Sequence, residues 1–248
     1  MAGVNHPVDR LGLAVTGGEL GNCASGELRG RAVTVLVPLG STEQHGPHLP
    51  LDTDTRIATA VARTAVDQLR GGHLLAPAIA YGAAGEHQGF AGTVSIGTAA
   101  LTAVLVEYGR SACDWAFRLV FVNGHGGNLD ALRGAVSLLR KEGRDVAWSA
   151  CAVEGSDAHA GHAETSVLLH LSPEVVRVGA WRVGNREPLA DLMPRLRSGG
   201  VAAVSAVGVL GDPTTATAKD GAVLFGIMVA RCTERVRRWS PAADGMLT

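Results

Sequence analysis

The strongest constraint on this chain is that its apolar runs are continuous where a half-wet strand would alternate. "AVTVLVPLG" (32–40) offers no polar face, so both sides of that strand must be covered. "TRIATAVARTAVDQLR" (55–70) follows it as an Ala-rich amphipathic helix ended by Gly71 and Gly72. The alternation continues with a strand over 73–81, a helix over 98–115, a strand over 118–124, a helix over 128–143 and a strand over 145–152. Later helices fall at 163–171 and 215–239. This rhythm predicts a mainly parallel sheet with helices on both faces. Residues 180–213 are the least regular part, with a lid, a subunit contact or a long connection all open. The final "SPAADGMLT" reads as a loose tail.

Composition removes several function classes. The 248 residues suffice for a sizeable core. A net charge of −1, with Lys and Arg scattered, gives no footprint for nucleic acid or acidic lipid. "MAGVNHPVDR" lacks the basic and apolar regions of a secretory signal, and no run is long enough to cross a membrane. Cys23, Cys113, Cys151 and Cys232 are far apart, as suits free thiols in a reducing compartment. A cytoplasmic location is expected.

In a parallel sheet, ligands bind beyond the carboxyl ends of the strands, and there this sequence concentrates its polar chemistry. "LGSTEQHGPHLPLDTD" places Glu43, His45, His48 and Asp54 after the first strand. "NGHGGN" places His125 after the third, between glycines that would let the backbone turn sharply. "DAHAGHAETS" places His159, His162 and Glu164 after the fourth. Imidazole with carboxylate suits divalent zinc, manganese or iron, and two such ions sharing a carboxylate ready a water for attack on a carbonyl. Each residue also has a plainer reading. Asp54 could cap the following helix, Glu43 and His45 could be solvated loop residues, and Glu164 could be a first-turn acid favoured by the helix dipole. His48, His73, His87 and His170 read as structural or supporting residues, and His6 as exposed. No dinucleotide fingerprint or phosphate-binding P-loop occurs.

Together "GSTEQHGPHLPLDTD", "GEHQGFAGTVSIG", "NGHGGN", "HAGHAETS" and "GVLGDPTTATAKDG" resemble the creatininase family of metal-dependent amidohydrolases, over residues from about 33 to 235. The resemblance implies a three-layer α/β/α sandwich, one domain over 1–248 with its core at about 30–239, and a two-metal centre. Glu43 and His45 would serve different ions, Asp54 would bridge them and His125 would complete the site beside Glu43. A glutamate ligand that creatininase carries two residues after the histidine of "NGH" is Gly127 here, which makes Glu164 the obvious replacement. His159 matches the family histidine that handles protons near the leaving group, with Glu164 either a ligand or the acceptor of the water's proton.

The departure at Gly127 moves the chain away from creatinine and toward the "GHGGN" branch. "YGAAGEHQGFAGTVSIG" and "HAGHAETS" look most like the members associated with mycofactocin maturation. For those, the resemblance implies removal of a C-terminal Val-Tyr dipeptide from a modified precursor peptide. A small-molecule amide substrate, lactam or formamide, is the alternative, and a non-catalytic metal-binding domain the third reading. Relatives are commonly homo-oligomers, often hexamers.

Overall fold

The computed structural model describes residues 18–248; His6 lies outside them. Five strands form one parallel sheet: β1 Gly18–Glu19, β2 Thr34–Leu39, β3 His73–Leu75, β4 Arg118–Asn123 and β5 Val146–Ala150, in the spatial order β1-β3-β2-β4-β5. The helices are α1 Ser25–Leu28, α2 Thr53–Leu69, α3 Gly97–Ala112, α4 Leu129–Lys141, α5 His162–Leu171, α6 Leu189–Gly199 and α7 Ala218–Arg238.

The uninterrupted apolar character of β2 follows from its two coverings. Val35, Val37 and Leu39 face a core with Leu101 and Leu105 of α3 and Leu132 and Leu139 of α4. Leu36, from the same strand, faces a second core with Val61 of α2, Val167 of α5 and Val229 of α7. Period-two alternation thus sends neighbouring residues into different helical layers, and the result is the three-layer α/β/α sandwich.

Three details differ from the sequence reading. The strand expected over 73–81 keeps ladder pairing only to Leu75, because Pro77 has no N–H to give; the chain rejoins β2 through Ile79 N to Pro38 O at 2.9 Å. The irregular segment 180–213 contains α6, and its Leu192, Val201 and Leu210 enclose a small core with Phe90. The tail is not loose. Leu247 is fully buried, its N–H bonds to Trp148 O at 2.8 Å, and Trp148 N bonds to Gly245 O at 3.0 Å.

The sheet places the site. β2 connects outward to β3 and its neighbour β4 connects outward to β5 on the other side, so a crevice opens between the carboxyl ends of β2 and β4. The docked tail makes a direct test possible. Leu247→Ala should lower unfolding free energy by about 2–5 kcal/mol, the usual loss for a leucine deleted from a packed core. Urea denaturation with an unchanged m-value would check it, whereas a loose tail would give no change.

Candidate metal centre

Asn128, the last residue of "NGHGGN", stitches this crevice together. Its Nδ2 donates to Gly40 O at 2.9 Å and Asn123 Oδ1 at 3.1 Å, while its Oδ1 accepts from Ala83 N at 2.9 Å. One buried amide therefore ties the segments leaving β2, β3 and β4. The glycines flanking His125 do not act through a left-handed turn, since neither takes a positive φ. Gly124 is needed for space: a Cβ there would lie 2.5 Å from Asp54 O, so its absence lets the first turn of α2 approach β4.

Asp54 sits in that first turn but caps nothing. Its Oδ2 accepts from Ser41 Oγ at 2.6 Å and stands 3.3 Å from His125 Nδ1. Its Oδ1 stands 3.1 Å from His45 Nε2. The two oxygens of one carboxylate thus face two different histidines. Glu43 Oε2 lies 3.2 Å from His125 Nε2, and Glu164 Oε2 lies 3.8 Å from His45 Nε2. Ala160 N holds that same Glu164 oxygen at 2.6 Å. Five residues singled out in the sequence are therefore gathered in one place, and His159 stacks on His45 with ring centroids 4.3 Å apart.

The electrostatics are those of a site built around cations. Burial and the neighbouring Asp54 push the Glu43 carboxyl up to about 8. Burial disfavours charge on His45, yet Asp54 outweighs it and raises that imidazole to about 10. His125, opposed by burial and favoured by Glu43 and Asp54, rises to about 9. Asp54 resists its own burial because His45 and His125 hold it well below the usual carboxylate range. Both Glu43 oxygens are buried without a hydrogen bond, an arrangement that costs stability unless a cation occupies the space. His45 Nδ1 lies 3.1 Å from the Glu43 carbonyl, which can only accept, so the proton sits on Nδ1 and the Nε2 lone pair is left for a metal. The donor set fits divalent ions.

Two residues were missed and two go elsewhere. His87, read as supporting, enters the cluster with Nε2 3.2 Å from Glu43 Oε1 and its ring 4.4 Å from that of His159. Burial and the nearby His125 and His45 lower it to about 3. Glu86 reaches to 3.5 Å from His125 Nε2. A Cβ at Gly127 would lie 2.5 Å from Glu86 Oε1, so Glu86 fills the space that a side chain at 127 would need. Glu86 is thus a second carboxylate, besides Glu164, standing at the edge of the cluster where Gly127 leaves room. The adjacent pair in "GEHQGF" was the available signal. His162 turns away to Thr215 Oγ1 at 2.9 Å, and His48 bonds Thr165 Oγ1 at 2.9 Å from outside the cluster. A cavity of about 460 Å³ adjoins Gln44 and is lined by Pro47, Phe90, Ala91, Arg182 and Val207.

Carboxylates and imidazoles converging at the switch point of an α/β/α sandwich have the ligand chemistry of metal-dependent hydrolases. The chain belongs to the creatininase family: the family model described as creatinine amidohydrolase matches residues 22–236. A mycofactocin precursor peptide peptidase of Mycobacterium ulcerans is 64% identical over 238 residues, covering 93% of this chain and 95% of the relative. One of Mycobacterium tuberculosis is 64% identical over 239 residues with the same coverage. A mutant creatininase complexed with creatine superposes with a TM-score of 0.74 at 25% identity, over 90% of this chain and 99% of that one.

Because Glu43, His45 and His125 hold protons up to about 8, 10 and 9 in the metal-free protein, divalent cations must displace protons to bind. Titration calorimetry at neutral pH in buffers of different ionisation enthalpy should register proton release, with affinity weakening as pH falls. Affinity that is flat from about pH 6 to pH 8 would contradict this linkage.

Proposed function

We propose that this protein is a metal-dependent peptidase that hydrolyses a C–N amide bond of the modified mycofactocin precursor peptide and releases its C-terminal Val-Tyr dipeptide. The observation that carries the reading is the 64% identity to peptidases of that name over 93% of the chain. We read residues from about 30 to 239 as one catalytic domain. Two divalent ions, from among zinc, iron and manganese, suit the donors. Glu43, His125 and one Asp54 oxygen would hold one; His45, Glu164 and the other Asp54 oxygen would hold the second. Bound there, such a pair acidifies a water and polarises the scissile carbonyl.

The protein's own residues shape the rest. Asp54 divides its oxygens between the two halves of the site, and Ala160 N keeps Glu164 turned toward His45. His159 hands a proton to the departing nitrogen. We expect no acyl-enzyme, because no Ser or Cys of the chain sits in a nucleophile motif beside a base. The cavity beside Gln44 suits a peptide end, with Phe90 for an apolar side chain and Arg182 for a terminal carboxylate. Among the described residues no helix is long and apolar enough to cross a membrane; free cysteines support a cytoplasmic location. The family resemblance supports a homo-oligomer, a hexamer.

Mass spectrometry of the metal-loaded protein with modified precursor peptide should detect a released dipeptide, and none with creatinine left intact in a parallel reaction. Cleavage of creatinine alone would overturn the reading. Glu43→Ala, Asp54→Ala and His125→Ala should each lose bound metal and turnover together. His159→Ala should keep its metal while kcat falls by about 10²-fold or more. Arg182→Gln should raise KM and leave metal content untouched.

A further inference from the structure

Gln44 lies between two ligand-bearing residues, and its side chain is fixed at both ends by backbone. Its Oε1 accepts from Gly46 N at 2.8 Å, and its Nε2 donates to Gly208 O at 3.0 Å. The first partner can only donate and the second can only accept, so the orientation of the carboxamide follows from its surroundings. Gly208 is shaped to this purpose. Its φ is +78°, and a Cβ there would collide with the Gln44 amide.

The second amide hydrogen of Gln44 faces two imidazoles, His87 Nδ1 at 2.8 Å and His159 Nε2 at 3.1 Å. His159 Nε2 also lies 2.8 Å from the Gln44 backbone carbonyl, an acceptor with no proton to give. His159 Nε2 must then carry the ring's proton and donate it to that carbonyl. The remaining amide hydrogen goes to His87 Nδ1, which therefore has a lone pair, and the His87 proton sits on Nε2. Both neutral rings are the same tautomer but face the site with opposite nitrogens. His87 offers an N–H, and His159 offers the Nδ1 lone pair, 3.7 Å from Glu43 Oε1. The N–H of His87 is not engaged: Glu43 Oε1 is 3.2 Å away but accepts no hydrogen bond.

We infer that Gln44 is a positioning residue that makes His87 a hydrogen-bond donor, not a metal ligand, aimed at the carbonyl oxygen of the amide as negative charge builds on it. The inference rests on the hydrolytic reading for the identity of that oxygen, and on hydrogen bonding alone for the placement of the protons. Because His87 Nδ1 is occupied in accepting the Gln44 amide hydrogen, the ring cannot move its proton there to free an Nε2 lone pair for an ion. Donors directed at a developing oxyanion in a water-poor site contribute about 10²- to 10³-fold to kcat. The complementary face of His159 fixes the order of proton transfer. As water adds to the carbonyl carbon and a C–O bond forms, His159 Nδ1 takes a proton from it. As the C–N bond breaks, its electron pair stays on nitrogen and takes that proton back from Nδ1. His159 is thus a base first and an acid second.

Long-range 1H–15N correlation spectra of the zinc-loaded protein labelled at histidine test the proton placement without any substrate. His87 and His159 should both appear as Nε2–H tautomers, with His45 as the opposite, Nδ1–H form. Gln44→Met should redistribute the His87 tautomer. His87→Ala should keep its full zinc content and lose about 10²- to 10³-fold in kcat on the modified precursor peptide. His87→Gln, which can return an N–H near the same point, should recover part of that loss. An Nδ1–H form of His87 in the parent protein, or loss of zinc from His87→Ala, would sink the inference. The spectra and the zinc content stand apart from turnover, so failure of the peptide to be cleaved would count against the proposed function and leave the proton placement decided.

Discussion

The rest of the structure depends on two carboxylates, Glu43 and Asp54, buried among imidazoles. Neither is more than 2% exposed. A buried carboxylate without compensation costs several kcal/mol, so an architecture that keeps such a pair must supply rigid surroundings and counter-charge. The sandwich supplies the first through two cores on either side of the sheet. The histidines supply part of the second, and the proposed cations would complete it. The centre is thus a stability cost that binding of such cations would reverse, linking their uptake to the firmness of the fold.

Rigidity at the crevice comes from backbone as much as from side chains. Gly40 and Gly124 each leave out a Cβ that would strike the first turn of α2. That turn can then deliver Asp54 to a point between β2 and β4. Asn128 ties the adjoining segments, so residues scattered from 43 to 164 in the chain meet within a few ångströms. The parallel register from Thr34 opposite Arg118 to Leu39 opposite Asn123 brings the two central strand ends level.

Much of this was legible. Continuous apolar strands told of helices on both faces, and polar motifs recurring at three strand ends told of a shared crevice. Glu43, His45, Asp54, His125, His159 and Glu164 all fall there. What was hidden had no periodic signature. His87 and Glu86 sit on a short turn far from any long strand, and only the three-dimensional path after β3 brings them against His125. Gly127 reads as a lost ligand in one dimension; in three it is room for Glu86. The tail reads as loose because it is short, carries Pro and Gly and has no periodic apolar pattern, yet Leu247 and a few backbone bonds suffice to dock it on β5.

The arm that holds α6 has two duties. Gly208 anchors the Gln44 amide, and Leu210 pairs with the backbone of His159 through bonds of 2.8 and 3.2 Å; immediately before Gly208, Ala206 and Val207 line the cavity. Retargeting such an enzyme to a bulkier or smaller substrate by altering this wall would disturb the placement of Gln44 and His159 as well. Selection on what the enzyme accepts and selection on how fast it turns over therefore act on the same few peptide bonds, and drift in one is felt in the other.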